Sequence, residues 1–276
     1  MDIYEEIVNL RARGTRAALA IIIAHKGASP RKDAVKMLIS EDGRQMGNVG
    51  GGMVEAEVVC KAREVMDTGR PKLLSFDLSG IDHDERALVC GGSMQIYIDP
   101  VLPDPELVIF GAGHVAKAVA EAARSAGFRI TVFDDRAKYA TADRFPCADV
   151  VLIKDSENWE AELGCLNLTS SSYVFVATQR PKTDRVCLRR AVLSSARYIG
   201  MLGSLTKTKI LLEAMQQEGV DPAQFSRIFV PAGLDIGSET PEEIAASIIP
   251  ELIAARKNLD VRRLRDAVHA VKAETP

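Results

Sequence analysis

Two glycines, a small residue and an acid at fixed spacing form the chemical pattern on which the sequence is most informative. Gly111, Gly113 and Ala116 spell G-x-G-x-x-A, and Asp134 follows 21 residues after Gly113. In dinucleotide-binding folds the first glycine permits a tight turn, the second lets a pyrophosphate approach the backbone, and the small residue allows close packing. An acid at this distance meets a ribose hydroxyl. The pattern predicts a phosphate-binding turn, with His114 as a phosphate donor, a proton shuttle or a helix cap.

The sequence supplies, in order, the strand, helix and second strand that these residues need. Leu107–Phe110 is an apolar run typical of a buried strand, and an alanine-rich helix follows with Val115, Val119 and Ala123 on one side. A second apolar strand, Ile130–Phe133, leads to the acid. We therefore predict a Rossmann-like unit whose free amide groups at the helix start face phosphates. A parallel sheet whose glycine turn binds nothing is the alternative, because a fold does not determine a function.

A second glycine run precedes another segment with helical spacing. Gly50, Gly51 and Gly52 would expose backbone amides in an anion-binding nest, and the helix start adds positive potential. Glu55 lies in the first turn of that helix, where it either faces the same ligand or stabilises the helix end. A hinge or a close packing point is the alternative interpretation of the glycines.

Cysteine usage points to one candidate thiol. Cys90 stands beside Gly91 and Gly92, and nearby backbone amides lower a thiol pKa and suit a sulfur or metal ligand. The alternative is a small buried hydrophobe. None of the five cysteines forms a C-x-x-C pair, which predicts free thiols in a reducing compartment and no zinc site readable from spacing. The five are Cys60, Cys90, Cys147, Cys165 and Cys187.

Composition limits the class of protein. The 276-residue chain is 26% charged and 47% hydrophobic with a formal net charge of −3, so it offers no basic field for nucleic acid. Its longest strongly apolar run, Ala17–Ala24, is too short to span a bilayer, and its acidic start does not resemble a secretory signal. We therefore expect a cytoplasmic protein with neither nucleic acid nor a membrane as a partner.

A cluster of prolines predicts two domains. Pro100, Pro103 and Pro105 lie within six residues, which is typical of a domain boundary. Residues 106–276 alternate strand-length apolar runs with helical segments, which predicts a parallel, doubly wound sheet. The expected fold class is α/β, with a C-terminal Rossmann-like sheet and a smaller N-terminal α+β domain over residues 1–100.

Taken together, these segments resemble the XdhC/CoxI family. The most specific motifs are GGGMVE at 50–55 combined with CGG at 90–92, and GLDIGSETPEEIA at 233–245. FGAGHVA at 110–116 and YIGMLGS at 198–204 follow in family order. The resemblance spans nearly the whole chain, so that residues 1–100 resemble the N-terminal domain of the family and residues 106–276 its Rossmann-like C-terminal domain.

The resemblance implies an accessory protein and not a metabolic enzyme. Such proteins bind the molybdenum cofactor (molybdopterin), a pterin dithiolene with a phosphate that is sometimes extended by a nucleotide. They help it become sulfurated and pass it to xanthine dehydrogenase or a related molybdenum hydroxylase. By this resemblance Gly111 and Gly113 hold the phosphate or nucleotide, while Gly50–Gly52, Glu55 and Cys90 line the pterin or metal end. A cysteine desulfurase is a further implied partner, and the charged tail and first helix favour a homodimer.

The chain departs from the family at one motif. Many relatives read TRGHxxD after the fourth strand of the second domain. Here Thr178 and Asp184 match, but Arg180 and Pro181 stand at the glycine and histidine positions. Any role of that histidine in relatives is therefore absent or altered in this chain.

Two other functions stay open on the residues alone. The glycine turn with Asp134 also predicts an NAD(P)-dependent oxidoreductase, and the acid would favour NAD because a carboxylate repels a 2′-phosphate. The sequence shows no general acid–base set with an obvious substrate pocket that would support that reaction. A non-catalytic nucleotide-binding regulatory module is the third interpretation.

Overall fold

The chain forms two units, each with a sheet of its own. The computed structural model describes residues 2–27, 35–77, 92–153, 159–164, 166–259 and 261. The units are Met1–Asp104 and Pro105–Pro276, with a five-stranded and a six-stranded sheet. In the described part of the chain, no helix combines the length and the apolar character needed to cross a bilayer.

The sheet of the first unit is antiparallel, with strand order β3-β2-β1-β5-β4. This arrangement confirms the smaller α+β domain that the sequence predicts. Its elements are α1 (Ile3–Ala12), β1 (Ala17–Gly27), β2 (Lys36–Ser40), β3 (Gln45–Gly47), α2 (Met53–Thr68), β4 (Lys72–Asp77) and β5 (Gly92–Val101).

Strand alternation assigns the side chains of this sheet to two cores. Ala18 and Ala20 on β1 belong to the core under α2, whereas Ala17 and Leu19 belong to the core under α1. The two sets separate because successive strand residues point to opposite faces. From α2 the buried residues recur at helical spacing, at Val54, Val58, Ala62 and Val65.

The sheet of the second unit is parallel, with strand order β11-β10-β9-β6-β7-β8. It confirms the predicted Rossmann-like, doubly wound arrangement. Its elements are β6 (Glu106–Phe110), α3 (His114–Ser125), β7 (Arg129–Asp134), β8 (Val150–Ile153), α4 (Trp159–Leu163), β9 (Ser172–Val176), α5 (Pro181–Val192), β10 (Tyr198–Met201), α6 (Leu205–Gln217), a 3-10 helix (Pro222–Arg227), β11 (Ile228–Phe229) and α7 (Pro241–Lys257).

Helices cover both faces of the parallel sheet. On the central strand β6, Leu107 and Ile109 belong to the core beneath α3 and α7, while Val108 and Phe110 belong to the core beneath α5 and α6. Burial on both faces explains why this strand reads as a continuous apolar run instead of an alternating one.

The carboxyl ends of these strands share one edge, which is where a ligand is expected. The chain runs from β6 outward to β7 and β8, and then returns to β9 on the other side of β6. In open α/β sheets, ligands bind in the crevice outside such a reversal of strand order. The segments that follow β6, β7, β9 and β10 therefore position the candidate site.

Candidate functional site

The turn after β6 is held so tightly that its first position accepts only glycine. Gly111 has φ +110°, and its N–H donates to the carbonyl of Phe133 at 2.8 Å. A Cβ on this residue would lie 2.2 Å from the carbonyl oxygen of Ala177 and 3.0 Å from the nitrogen of Thr178. The turn therefore lies directly against the chain that leaves β9.

The second glycine of the turn opens onto free space. Gly113 has φ −74°, which any residue adopts, and a Cβ there would meet nothing within 4 Å. It is the N-cap of α3, and no side chain caps the amides of this first turn. His114, the first residue of the helix, is exposed. Uncapped amides at a helix start facing open space are the arrangement that accepts a phosphate.

Asp134 at the end of β7 is built into the protein's own hydrogen bonds. The residue is 2% exposed, and its Oδ2 accepts from the N–H of Ala112 at 2.6 Å. Arg136 binds both oxygens, with Nε at 2.8 Å from Oδ1 and Nη2 at 2.6 Å from Oδ2. The carboxylate thus fixes the glycine turn and one arginine at once. Its predicted contact with a ribose stays a prediction, and a ribose hydroxyl would have to share these oxygens.

The charge state of Asp134 follows from two opposing effects. Burial raises the pKa of this carboxyl, but the hydrogen bonds from Arg136 and from the Ala112 amide outweigh it, so the pKa lies below its ordinary value. The same contact raises the pKa of Arg136. The pair is therefore charged at neutral pH and adds no net charge to the edge of the sheet.

A second buried carboxylate lies across the crevice, and the sequence predictions did not include it among the site residues. Asp184 is 1% exposed and accepts from Thr178 through its N–H at 3.1 Å and its hydroxyl at 2.6 Å. Its other oxygen accepts from the ammonium of Lys207 at 2.5 Å. A signal in the sequence could have indicated this contact. Asp184 follows β9 and Lys207 follows β10, and the carboxyl ends of neighbouring parallel strands meet at one edge of the sheet.

The residues that depart from the family motif lie beside this cluster. Arg180 is the N-cap of α5 and Pro181 its first residue, so the helix begins within the motif itself. This start is explained by the suitability of proline for the first helical position. Arg180 also reaches across to Asp135, with Nη2 at 3.2 Å from Oδ2, and so places a cation between the ends of β9 and β7.

The glycine run of the first unit also opens onto free space. Gly52 is the N-cap of α2 without a side-chain cap, and a Cβ on Gly51 or Gly52 would meet nothing within 4 Å. Gly50 donates its N–H to the side chain of Asn48 at 2.6 Å. Glu55 lies in the first turn of α2 and is partly exposed. These four predicted residues are therefore close together, and their role in binding stays a prediction.

The predicted thiol ligand, Cys90, lies outside the described residues, so its role as a metal ligand stays a prediction. Of the described cysteines, Cys60 is exposed, and burial raises the pKa of the thiols of Cys147 and Cys187. Within the described ranges, no group of three or more His, Cys, Asp and Glu side chains is arranged to hold a metal ion.

Two groups of predicted residues emerge, one in each unit. Gly111, Gly113, His114 and Asp134 come together at the carboxyl edge of the parallel sheet. Gly50 to Gly52 and Glu55 come together at the start of α2.

Profiles of two families match the chain. The XdhC Rossmann domain matches residues 107–252, which cover the parallel sheet and its glycine turn. The XdhC and CoxI family matches residues 10–77, from α1 to the end of β4.

Three curated proteins resemble most of the chain. The uncharacterized protein YqeB of Escherichia coli is 31% identical over 94% of this chain, which spans only 47% of the length of YqeB. A protein of Bacillus subtilis named as a probable xanthine dehydrogenase subunit is 26% identical, covering 89% of this chain and 94% of its own. The molybdenum cofactor insertion chaperone PaoD of Escherichia coli is 22% identical, covering 88% of this chain and 84% of its own.

A solved structure shares the fold. A protein described as a xanthine dehydrogenase from Bacillus halodurans is 23% identical, covers 94% of this chain and 97% of its own, and superposes with a TM-score of 0.50. The Rossmann profile alone covers more than half of the chain, from β6 into α7, and includes the glycine turn. The chain therefore belongs to the XdhC/CoxI family.

Proposed function

We propose that this protein is an accessory protein that binds the molybdenum cofactor and assists its sulfuration and its insertion into xanthine dehydrogenase or a related molybdenum hydroxylase. The observation that carries the proposal is the open, uncapped start of α3 in a chain of this family. The names of two relatives, one a cofactor insertion chaperone and the other a component of xanthine dehydrogenase, support the ligand and the enzyme partner.

The second unit fits the phosphate end of that cofactor. Gly113 leaves room for a phosphate against the backbone, and the amides of the first turn of α3 supply donors. Asp134 holds the turn in place through the N–H of Ala112, so the donors are pre-arranged before a ligand arrives. His114, exposed at the helix start, is placed to add a donor.

The first unit is proposed to contact the pterin or metal end. Space beside Gly51 and Gly52 and the uncapped start of α2 favour an anionic or polar edge of a ligand there. We assign Glu55 to the same contact and Cys90 to the metal. The cofactor would take part in catalysis only after its transfer to the molybdenum enzyme. The residues of this chain would therefore bind, orient and protect it without a reaction of their own.

The partners follow from this role. A carrier of this kind contacts the molybdenum enzyme transiently, and a cysteine desulfurase would supply the sulfur for the cofactor. We propose that it works in the cytoplasm as a homodimer.

The proposal is tested by anaerobic binding of freshly released molybdenum cofactor to the purified protein, with NAD measured alongside by calorimetry. Bound cofactor is quantified as pterin fluorescence after oxidation. We expect tight binding that falls at least about tenfold in Gly113→Val, because the added side chain fills the space for the phosphate. Ala246→Val, which introduces the same side chain at an exposed position of α7, is the control.

Cys90→Ala tests the metal end separately and should weaken cofactor binding without changing the affinity for ADP. A protein that binds NAD and no molybdenum cofactor would overturn the proposed function in favour of an oxidoreductase or a sensor.

A further inference from the structure

We propose that Lys207, held in place by the buried Asp184 and Thr178, is a second anion contact in the crevice and binds the same phosphate-bearing ligand as the glycine turn. This inference deepens the proposed function and rests on it for the identity of the natural ligand. The glycine turn of a Rossmann-like unit accounts for one side of a phosphate. Lys207, on α6, would bind the other side of that phosphate from across the reversal of strand order.

The lysine is fixed by a fully buried carboxylate. Both oxygens of Asp184 are engaged, one by Thr178 and the other by the ammonium of Lys207 at 2.5 Å. Asp184 is 1% exposed, whereas the side chain of Lys207 is 31% exposed. The carboxylate is thus the buried member of the pair, and the lysine is its partly exposed member.

Stability alone is a weak reason to keep this pair. Removing two charges from water costs about as much as their attraction returns, so buried ion pairs contribute little net free energy of folding. Lys207 also lies in the first turn of α6, where a cation is disfavoured by the helix dipole. A bound anion would remove that conflict, since the ammonium and the helix start would both face negative charge.

The ammonium has donors to spare. A lysine carries three N–H donors. Among the described residues, its hydrogen-bond acceptor is one oxygen of Asp184. The remaining donors are available to water or to a ligand oxygen.

Lys207, Asp184 and Thr178 form a lysine cluster that adjoins the glycine turn. A Cβ on Gly111 would lie 2.2 Å from Ala177 and 3.0 Å from Thr178, the residue that binds Asp184. The turn after β6 and the lysine cluster after β9 and β10 therefore lie side by side at the reversal of strand order. In the proposed arrangement, a phosphate on the start of α3 has its other oxygens bound by Lys207.

The ligand class is a phosphate or diphosphate ester. Of the cations at this edge, Arg136, Arg180 and Lys207 are each paired with an aspartate, and Arg144 donates from Nε to the carbonyl of Ala112 in the turn, so most of the positive charge is neutralised locally. Binding must then come from directed donors, which tetrahedral phosphate oxygens accept in several directions at once. The terminal phosphate of the pterin and the diphosphate of its nucleotide form share this chemistry.

Calorimetry with ADP, inorganic pyrophosphate and adenosine tests the contact on the full chain. We expect Lys207→Met to raise the Kd for ADP and pyrophosphate at least about tenfold, the loss of one charge-assisted hydrogen bond, and to leave adenosine unaffected. Lys209→Met is the matched control, because Lys209 lies on the same helix with its side chain 80% exposed. It should change either Kd less than about twofold.

A second variant guards against misfolding, since Lys207→Met leaves the buried carboxylate of Asp184 unpaired. Asp184→Asn combined with Lys207→Met removes both charges and should keep the fold while losing the same affinity. Equal effects of the Lys207 and Lys209 substitutions, or a wild-type protein that binds neither ADP nor pyrophosphate, would overturn the inference.

The molybdenum cofactor arm separates the two proposals. Cofactor binding that is unchanged in Lys207→Met would refute this inference and leave the proposed function intact. Lysine-dependent binding of ADP without binding of the cofactor would support this inference and refute the proposed function.

Discussion

At the residue scale, the two glycines of the turn have different reasons to be glycine. Gly111 is required by the fold, because its φ of +110° and the carbonyl of Ala177 leave no place for a Cβ. We expect Gly111→Ala to lower the free energy of unfolding by about 3 kcal/mol or more, from backbone strain and displacement of β9. Urea denaturation followed by circular dichroism measures the loss, and an unchanged midpoint would contradict the tight turn.

The fold makes no such demand at Gly113, and we propose that the ligand does. Its backbone angles suit any residue and its Cβ position is empty, so Gly113→Ala should lower the free energy of unfolding by no more than about 1 kcal/mol, the difference between glycine and alanine at an N-cap. The added methyl occupies the space assigned to a phosphate, so the affinity for ADP should fall several-fold. The same urea series and calorimetry, run beside Gly111→Ala, check both parts. A destabilised protein with full affinity would reverse the assignment.

Asp134 gives the molecule a pH dependence with a defined sign. Burial raises the pKa of this carboxyl, but Arg136 and the Ala112 amide lower it by more, so the folded pKa lies below the unfolded value of about 3.9. Its contribution to stability is therefore present above about pH 4 and is lost as pH falls through the lowered folded pKa.

The test is the difference in unfolding free energy between the wild type and Asp134→Asn, measured by urea denaturation at several pH values. We expect a constant difference from about pH 7 to about pH 5 and a shrinking one below about pH 4. Asp143→Asn, at an exposed position of the following loop, is the control in the same series. A difference that grows on acidification would mean that the carboxylate is not stabilised by these partners.

At the element scale, the sequence predicted the strand–turn–helix–strand unit because all of its signals are local. The apolar run of β6, the spacing of α3 and the two glycines lie within 30 residues, and the structure has them in that order. The same holds for α2, which forms where the sequence predicts helical spacing and buries Val54, Val58, Ala62 and Val65. Local periodicity is sufficient where each element buries one regular face.

The lysine cluster shows where local signals end. Asp184 and Lys207 are 23 residues apart and belong to different helices, so their contact depends on β9 and β10 being neighbours in the sheet. The engagement of Asp134 by Arg136 was likewise invisible, because spacing indicates that an acid ends the strand but not which donors reach it. Side-chain partners across a sheet edge require the topology first.

The cap at the start of α7 should contribute to the stability of the fold and not to ligand binding. Thr240 accepts from the N–H of Glu243 at 3.2 Å, and the Glu243 carboxylate accepts from the N–H of Thr240 at 3.1 Å, which completes a capping box. Thr240→Ala should lower the free energy of unfolding by about 1 kcal/mol. Thr206→Ala, at an exposed position of α6, is the control in the same urea series. Equal stability of the two variants would show that the cap contributes nothing.

At the scale of the whole molecule, the two units have separate hydrophobic cores. The cores under α1 and α2 draw on described residues up to Val101, and those of the parallel sheet begin at Leu107. No described buried residue belongs to a core of both units. Since a core of its own is what lets a segment fold independently, each unit should be an autonomous folding domain.

This separation makes a prediction for the second unit alone. Residues 105–276 contain both buried carboxylates, the glycine turn and Lys207, so the fragment should carry the whole phosphate contact. We expect it to unfold cooperatively in urea and to bind ADP with a Kd within about threefold of the full chain. Lys207→Met in the fragment should weaken ADP binding by the same factor as in the full chain, which tests that the contact is local. A fragment that unfolds without a cooperative transition would refute the separate core, whereas a folded fragment without ADP affinity would place part of the phosphate contact in residues 1–104.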